Sequence, residues 1–527
     1  MDRILILGAG VMQGPAIRCA RNMGLETVVV DGDPNAPMAP LADRFEPVDL
    51  KDTGKIETLA RSLVKNGGLS GVMTAGTDFS ASVAWVAEKL GLPGIPYQAA
   101  VDASDKERMR RRFREAALPS PDYTVLTKPP DKNFRLPFDF PAVIKPVDNM
   151  GGRGCRRVDG YDEFRDAAAA ALRFSRSGRV IAEEYMEGPE FSVDAVVFQG
   201  EVTICGLADR HIRFPPYFIE MGHTMPTEFS RRDRDALLDV FVKGIRVLGI
   251  TNGAAKGDIK LTSKGPMIGE IAARLSGGYM SGWTYPYASG VEPVRGAIAA
   301  ALSRRPDGLE PSRNWTSAER AFISIPGKVA EILGVEEARS FPGVRDVFVR
   351  AAPGGRLSFP ENNVSKAGNV ISAAAARAAA VEAADGAARR ILVRLTAPDR
   401  ETDAFLESAC FPGPAGPVFP PPAFVLSAGL LEELAAIPDI PGVFGIPAVS
   451  GKPKTESMTL YPFPAFAGSD LGDYMGRTVG ESLAAVELLT GLKLKVDRNS
   501  AALGRGFWAA LIRSGYQGAA YYIDRLR

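Results

Sequence analysis

The sequence predicts an α/β fold: an open parallel sheet over residues 1–100, a glycine-loop subdomain, a mixed α+β core, and an extra α+β domain at the carboxyl end. Three observations predict it. Short apolar runs alternate with helix-length segments in the first hundred residues. A two-strand pattern within 258–283 carries two acids and an arginine. The composition then turns abruptly to proline at 412–422.

Residues 4–7 (ILIL) read as a short buried strand, 14–23 as a helix, and 27–30 as a second strand ending at Asp31, which is a βαβ start. Gly8-x-Gly10 followed by an acid invites a dinucleotide reading, but position 13 is Gln and the next glycine comes at 14, so the motif is incomplete. Residues 71–75 and 80–90 continue the pattern as strand and helix. The helix KERMRRRFREAA is expected to turn most of its charges to solvent. Lys106 opens that helix, where the dipole does not favour a cation, so an anion is expected nearby.

Residues 140–145 (FPAVIK) form a strand ending at Lys145, followed by a loop with Gly151, Gly152 and Gly154. Glycines there let successive backbone N–H groups turn toward one anion, while Lys145 supplies a point charge. The loop lacks the G-x-x-x-x-G-K-[ST] spacing of a Walker P-loop. The run VIAEEYMEGPEFSVDAVV is expected as strand, turn and strand, with Glu183, Glu184 and Glu190 along it. In DIKLTSKGPMIGEIAAR, a turn at 263–266 sets Asp258 on one strand beside Glu270 on the next, with Arg274 following. Two adjacent carboxylates repel unless a cation lies between them, and hard oxygen ligands suit Mg²⁺ that also holds phosphate oxygens.

The composition narrows the partners. The chain has 527 residues, too many for one core, which suggests three or four domains. Lys plus Arg (63) nearly cancel Asp plus Glu (62), so nothing calls for nucleic acid or an anionic membrane. The four cysteines are scattered, which favours a reducing, cytoplasmic setting over disulfides or structural zinc. The start MDRILILGAG is too short an apolar stretch for a signal peptide, and no run of about 18 apolar residues is present to span a membrane.

Lys106, Lys145, the GGRG loop, EEYM at 183–186, Glu190 in GPEFSVDAV, Asp258, and Glu270 in GEIAAR together resemble the ATP-grasp superfamily, in order and spacing, over roughly residues 1–390. The resemblance implies a pre-ATP-grasp domain (1–100), a linker helix and lid (101–186), and a core with a small closing subdomain (187–395). It implies that Lys106, Lys145, Gly151, Gly152 and Gly154 hold ATP phosphates, that the backbone from Glu184 to Met186 holds adenine, and that Glu183 belongs to the same nucleotide site. Glu190 would contact ribose, and Asp258 and Glu270 would bind Mg²⁺, with Mn²⁺ as an alternative. Members usually carry Asn two residues after the second acid; here that position is Ala272, which leaves one or two metal ions open.

PYFIEMGHTMP resembles the L-amino acid ligases of the bacilysin-synthetase type, in which a Glu-x-x-His pair helps form an amino-acid pocket. Glu220 and His223 match that pair, and Arg274, Ser276, Gly277 and Trp283 would complete the substrate pocket. Trp283 reads equally as a core residue. The implied activity is an ATP-dependent carboxylate–amine ligase working through an acylphosphate, with Arg274 and Lys145 catalytic and small carboxylates and amines as partners; a homodimer is compatible with the sequence. The alternatives are a purine-pathway-like carboxylase or formylating enzyme, some of whose members also carry Ala two residues after the second acid, and a catalytically silent ATP sensor. Residues 320–395 resemble the subdomain that closes the ligase architecture. Residues 396–422 are expected as a Pro-rich linker and 423–527 as an accessory domain, with helices near 478–491 and 505–525 and with Trp508, Tyr516, Tyr521 and Tyr522 on a packed helix face.

Overall fold

The computed structural model describes residues 2–408, 418–440 and 457–527. Two compact units emerge: Met1–Glu319 with Ala373–Val381, and Arg320–Ser372 with Glu382–Arg527. Among the described residues, no helix is long and apolar enough to cross a membrane.

The first unit opens with a parallel sheet of β1 (Arg3–Leu7), β2 (Glu26–Asp31), β3 (Arg44–Pro47) and β4 (Gly71–Met73), in the order β3-β2-β1-β4. Alternation along β1 serves both faces. Ile4 and Ile6 pack with Ile17 and Ala20 of α1 (Gly14–Asn22), while Leu5 and Leu7 pack with Ile56 and Leu63 of α2 (Thr53–Lys65). The incomplete glycine motif has a different use here. Gln13 accepts from Gly10 N at 3.0 Å and donates to the Ala75 carbonyl, and its side chain lies where any Cβ on Gly8 would sit. Asp31 accepts from Ala9 N at 2.7 Å. Both polar side chains therefore staple the loop itself.

After α3 (Ser80–Leu90) and α4 (Tyr97–Ser104) comes α5 (Lys106–Glu115). Its charges are not all solvated: Arg110 is 1% exposed, on one stripe with Lys106, Met109 and Phe113. That stripe is the i, i+3, i+4, i+7 face, which must turn inward to bury Met109 and Phe113. The segment expected as a lid contains the antiparallel sheet β5-β8-β6-β7, from β5 (Tyr123–Leu126), β6 (Ala142–Pro146), β7 (Arg156–Val158) and β8 (Val180–Glu184), backed by α6 (Tyr161–Phe174). The core sheet runs β13-β12-β9-β10-β11, from β9 (Glu190–Phe198), β10 (Glu201–Arg213), β11 (Ile219–Met225), β12 (Gly253–Thr262) and β13 (Gly265–Ala272). Phe191, Val193, Ala195 and Val197 alternate inward from β9 onto Leu237, Phe241 and Ile245 of α7 (Arg231–Leu248).

In the second unit, strands Gly327–Leu333 and Leu392–Leu395 pair antiparallel. The segment expected as a linker begins with a helix, Arg400–Glu407, because Asp399 caps it by accepting from Glu401 N and Thr402 N. The prolines at 412–417 lie outside the described residues, as do Cys410, Lys452 and Lys454. Residues 423–527 share this unit with 320–372. The reason is visible in the helix Arg505–Leu526: Tyr516 Oη accepts from Val393 N at 2.9 Å, and Gln517 donates to Val393 O and Ser324 Oγ. Trp508, Tyr516 and Tyr521 are buried, consistent with a packed face.

Candidate active site

The hairpin forms as its pattern implies. Asp258 and Glu270 are direct register partners across β12 and β13, the strands turn at 263–264, and a β-bulge follows immediately after Asp258. The bulge leaves Gly269 unpaired, and its carbonyl accepts from Arg110 Nη2 at 2.5 Å.

Three groups of side chains surround this hairpin. In the first, Lys106 Nζ lies 3.5 Å from Glu270 and donates to Asn149 O at 2.8 Å, which ties the start of α5 to the glycine loop. Burial opposes its charge, but Glu270, Asp78 and Glu183 outweigh burial and hold the ammonium above its ordinary range. Gly151, Gly152 and Gly154 all have positive φ, and a Cβ on Gly154 would stand 2.9 Å from Phe174. Lys145 Nζ meets Glu183 at 2.7 Å, and Glu183 also receives Arg110 at 2.9 and 3.3 Å. Burial raises the Glu183 carboxyl, yet the two cations hold it below the usual range. Its oxygens are thus engaged in aiming Lys145. Glu184 instead meets Lys264 at 2.9 Å, and the Met186 carbonyl accepts from Lys260 at 3.1 Å.

The second group centres on a residue that sequence reasoning missed. Arg210 donates to Glu220 Oε2 at 2.7 and 3.2 Å, pairs with Asp258 Oδ1 at 3.0 Å, and also binds Glu190. Lys256 pairs with Asp258, and Lys260 Nζ lies 3.5 Å from Glu190. Glu220 and His223 are three apart on β11, which in a regular strand would put them on opposite faces. The register slips between His211 and Ile212, so β11 carries an extra residue and both side chains turn to one side. His223 Nδ1 lies 3.1 Å from Glu319, also missed, and Nε2 lies 3.4 Å from Glu220. Burial lowers the affinity of His223 for its second proton, but the flanking Glu220 and Glu319 outweigh it and favour imidazolium.

The third group is the 274–283 loop. Asp194 accepts from Ser276 N at 3.2 Å and from Ser276 Oγ at 2.5 Å, so that hydroxyl anchors the loop. Burial pushes the Asp194 carboxyl up to about 6 against those bonds. Arg274 donates to Leu275 O at 3.0 Å, and its Nε is buried without a hydrogen-bond partner, the kind of orphan an incoming anion satisfies. Gly277 packs against Gly76, and a Cβ on Gly278 would stand 2.9 Å from Glu220 Oε1, so the loop lies directly on the Glu220–His223 pair. Trp283 is 7% exposed and stacks edge-on with Tyr279 at 5.4 Å.

The donor set can be tested against a divalent cation. Among the described residues there is no group of three or more His, Cys, Asp or Glu able to enclose a metal. Two facing carboxylates suit a hard ion whose remaining ligands are phosphate oxygens and water, as Mg²⁺ prefers.

Residues 17–94 match the ATP-grasp N-terminal domain, 138–282 the ATP-grasp domain, and 321–396 the L-amino acid ligase C-terminal domain 2. The chain is 25% identical over 373 residues to the uncharacterized protein y4rH of Sinorhizobium fredii, covering 69% of this chain and 77% of that protein. It is 25% identical over 401 residues to carnosine synthase 1 of Gallus gallus, covering 69% of this chain but only 43% of the synthase. The L-amino acid ligase from Bacillus licheniformis superposes with a TM-score of 0.65 at 20% identity, covering 75% of this chain and 99% of that one. With three domain matches in chain order on a shared fold, the chain belongs to the ATP-grasp superfamily and carries a C-terminal domain of the L-amino acid ligase type.

Proposed function

We propose that the chain is an ATP-dependent carboxylate–amine ligase that joins an amino acid to a second amino acid or other amine. The observation that carries the reading is that Arg210 bridges Asp258, the cross-strand partner of Glu270, to Glu220 of the Glu220–His223 pair, so the two pairs share one part-buried cluster. Nucleotide chemistry and amino-acid recognition are thereby adjacent.

In this reading Lys106, Lys145 and the N–H groups of the glycine loop hold the ATP phosphates, the Glu184–Met186 backbone holds adenine, and Glu190 contacts ribose. Asp258 and Glu270 would hold Mg²⁺, which would supply charge neutralisation at the phosphates. The substrate carboxylate attacks the γ-phosphate and releases ADP, and the amine then displaces phosphate from the acylphosphate. Arg274 stabilises the charge on the transferred group. Glu220 receives a substrate ammonium, and His223 shapes the same pocket with Trp283 as a wall.

The test is phosphate release from MgATP with amino acids supplied singly and in pairs, followed by mass spectrometry. Release that needs amino acids and yields a dipeptide mass supports the reading. Release that needs bicarbonate or formate instead would carry it to the purine-pathway type of reaction, and nucleotide binding without release to a sensor.

A further inference from the structure

One guanidinium joins the two halves of the site. Arg210 sits on β10 opposite Glu190 of β9 and opposite His223 of β11, and its side chain is 9% exposed. From that central strand it reaches Glu190, Glu220 and Asp258, which come from three other strands. Lys256 and Lys260 each approach one of these acids, but only Arg210 contacts all three among the described residues. A planar fork with five N–H donors can hold three carboxylates at fixed angles, whereas an ammonium has three donors and no plane.

We propose that Arg210 is a positioning residue that fixes the amino-acid subsite to the nucleotide and metal subsite, by holding Glu220 in a set geometry with Glu190 and Asp258. The proposal rests on the ligase reading for the role of Glu220, and on the ATP-grasp fold for the nucleotide half. Without the guanidinium, three carboxylates crowd one buried space with two lysines between them. They then repel, and both subsites lose their shape together.

The experiment compares Arg210→Met, Arg210→Lys and Glu220→Gln on two readouts: the dissociation constant for MgADP, and the KM for the amino acid that stimulates phosphate release. Arg210→Met is expected to weaken both by about tenfold or more, with Arg210→Lys between it and wild type. Glu220→Gln is expected to raise only the amino-acid KM. If Arg210→Met does not fold, Arg210→Lys decides the matter by shifting both constants together. Unchanged constants in the Arg210 variants, or a shift confined to one of the two, would overturn the proposal. If no amino acid stimulates release by the wild-type protein, the ligase reading fails by itself, and the MgADP constants then decide the role of Arg210: retained affinity in Arg210→Met rejects it.

Discussion

Glu183 offers the sharpest test of how Lys145 is held. Its side chain is 3% exposed and faces two cations: Arg110 through contacts of 2.9 and 3.3 Å, and Lys145 at 2.7 Å. Glu183→Gln keeps the volume and one acceptor oxygen but removes the counter-charge from two buried cations. Breaking a buried pair by neutralising one partner costs about 3–5 kcal/mol, and the retained amide places this variant near about 3. Each kcal/mol moves Tm by about 2–4 °C in domains of about 150–250 residues, so about 3 kcal/mol corresponds to a fall of roughly 6–12 °C, toward the lower end for the larger unit that holds Glu183. Calorimetry at neutral pH measures it. Because Arg110 and Lys145 hold the Glu183 carboxyl low, its contribution is present above the unfolded-state value of about 4.3 and is lost as pH falls through the folded-state value. The gap between variant and wild type should therefore close in acid. A Glu183→Gln protein that melts with wild type at neutral pH would refute the assignment of Glu183 as the group holding Arg110 and Lys145.

Other perturbations follow from the same geometry. Arg274→Ala should leave MgATP affinity close to wild type while turnover falls by about 10²–10³, the usual loss for one preorganised charge contact, as read from single-turnover phosphate release. His223, with its folded-state affinity for protons raised by Glu220 and Glu319, stabilises fully below its unfolded value of about 6.5 and loses that contribution as pH rises through the folded one. The stability difference between wild type and His223→Asn, from urea titrations at several pH values, should shrink on the alkaline side. Gly154→Ala forces a side chain into positive φ at a cost of about 1–2 kcal/mol and meets Phe174, so the KM for ATP should rise with little change in the amino-acid KM.

Much of this was legible in the sequence where local periodicity and local geometry agree. The hairpin is one case: alternation with a turn between the strands brings Asp258 opposite Glu270, and the register confirms it. The glycine loop is another, because three glycines between two strands announce positive φ. Arg210 was not legible, since its partners come from strands 20, 10 and 48 positions away and their meeting depends on sheet order. The Glu220–His223 spacing even argues against a shared face until the bulge in β11 is known. Arg110 could have been found: it shares a helical stripe with Met109 and Phe113, and a stripe that buries those two must bury it as well. At the carboxyl end, helices Val479–Thr490 and Arg505–Leu526 fall where the pattern places them, the latter kinked at Ser514 and Gly515, but the contacts of Gln517 with residues 324 and 393 depend on partners distant in sequence.

The proposed ligase reaction would couple ATP to an amide bond between an amino acid and a second amino acid or other amine. Phosphate release from MgATP over the common amino acids, singly and in pairs, with mass spectrometry of the products, tests it most directly. Release should depend on particular amino acids and yield a product of dipeptide mass, both lost in Arg274→Ala. Bound MgATP with no release across the whole panel, or release indifferent to amino acids, would contradict it.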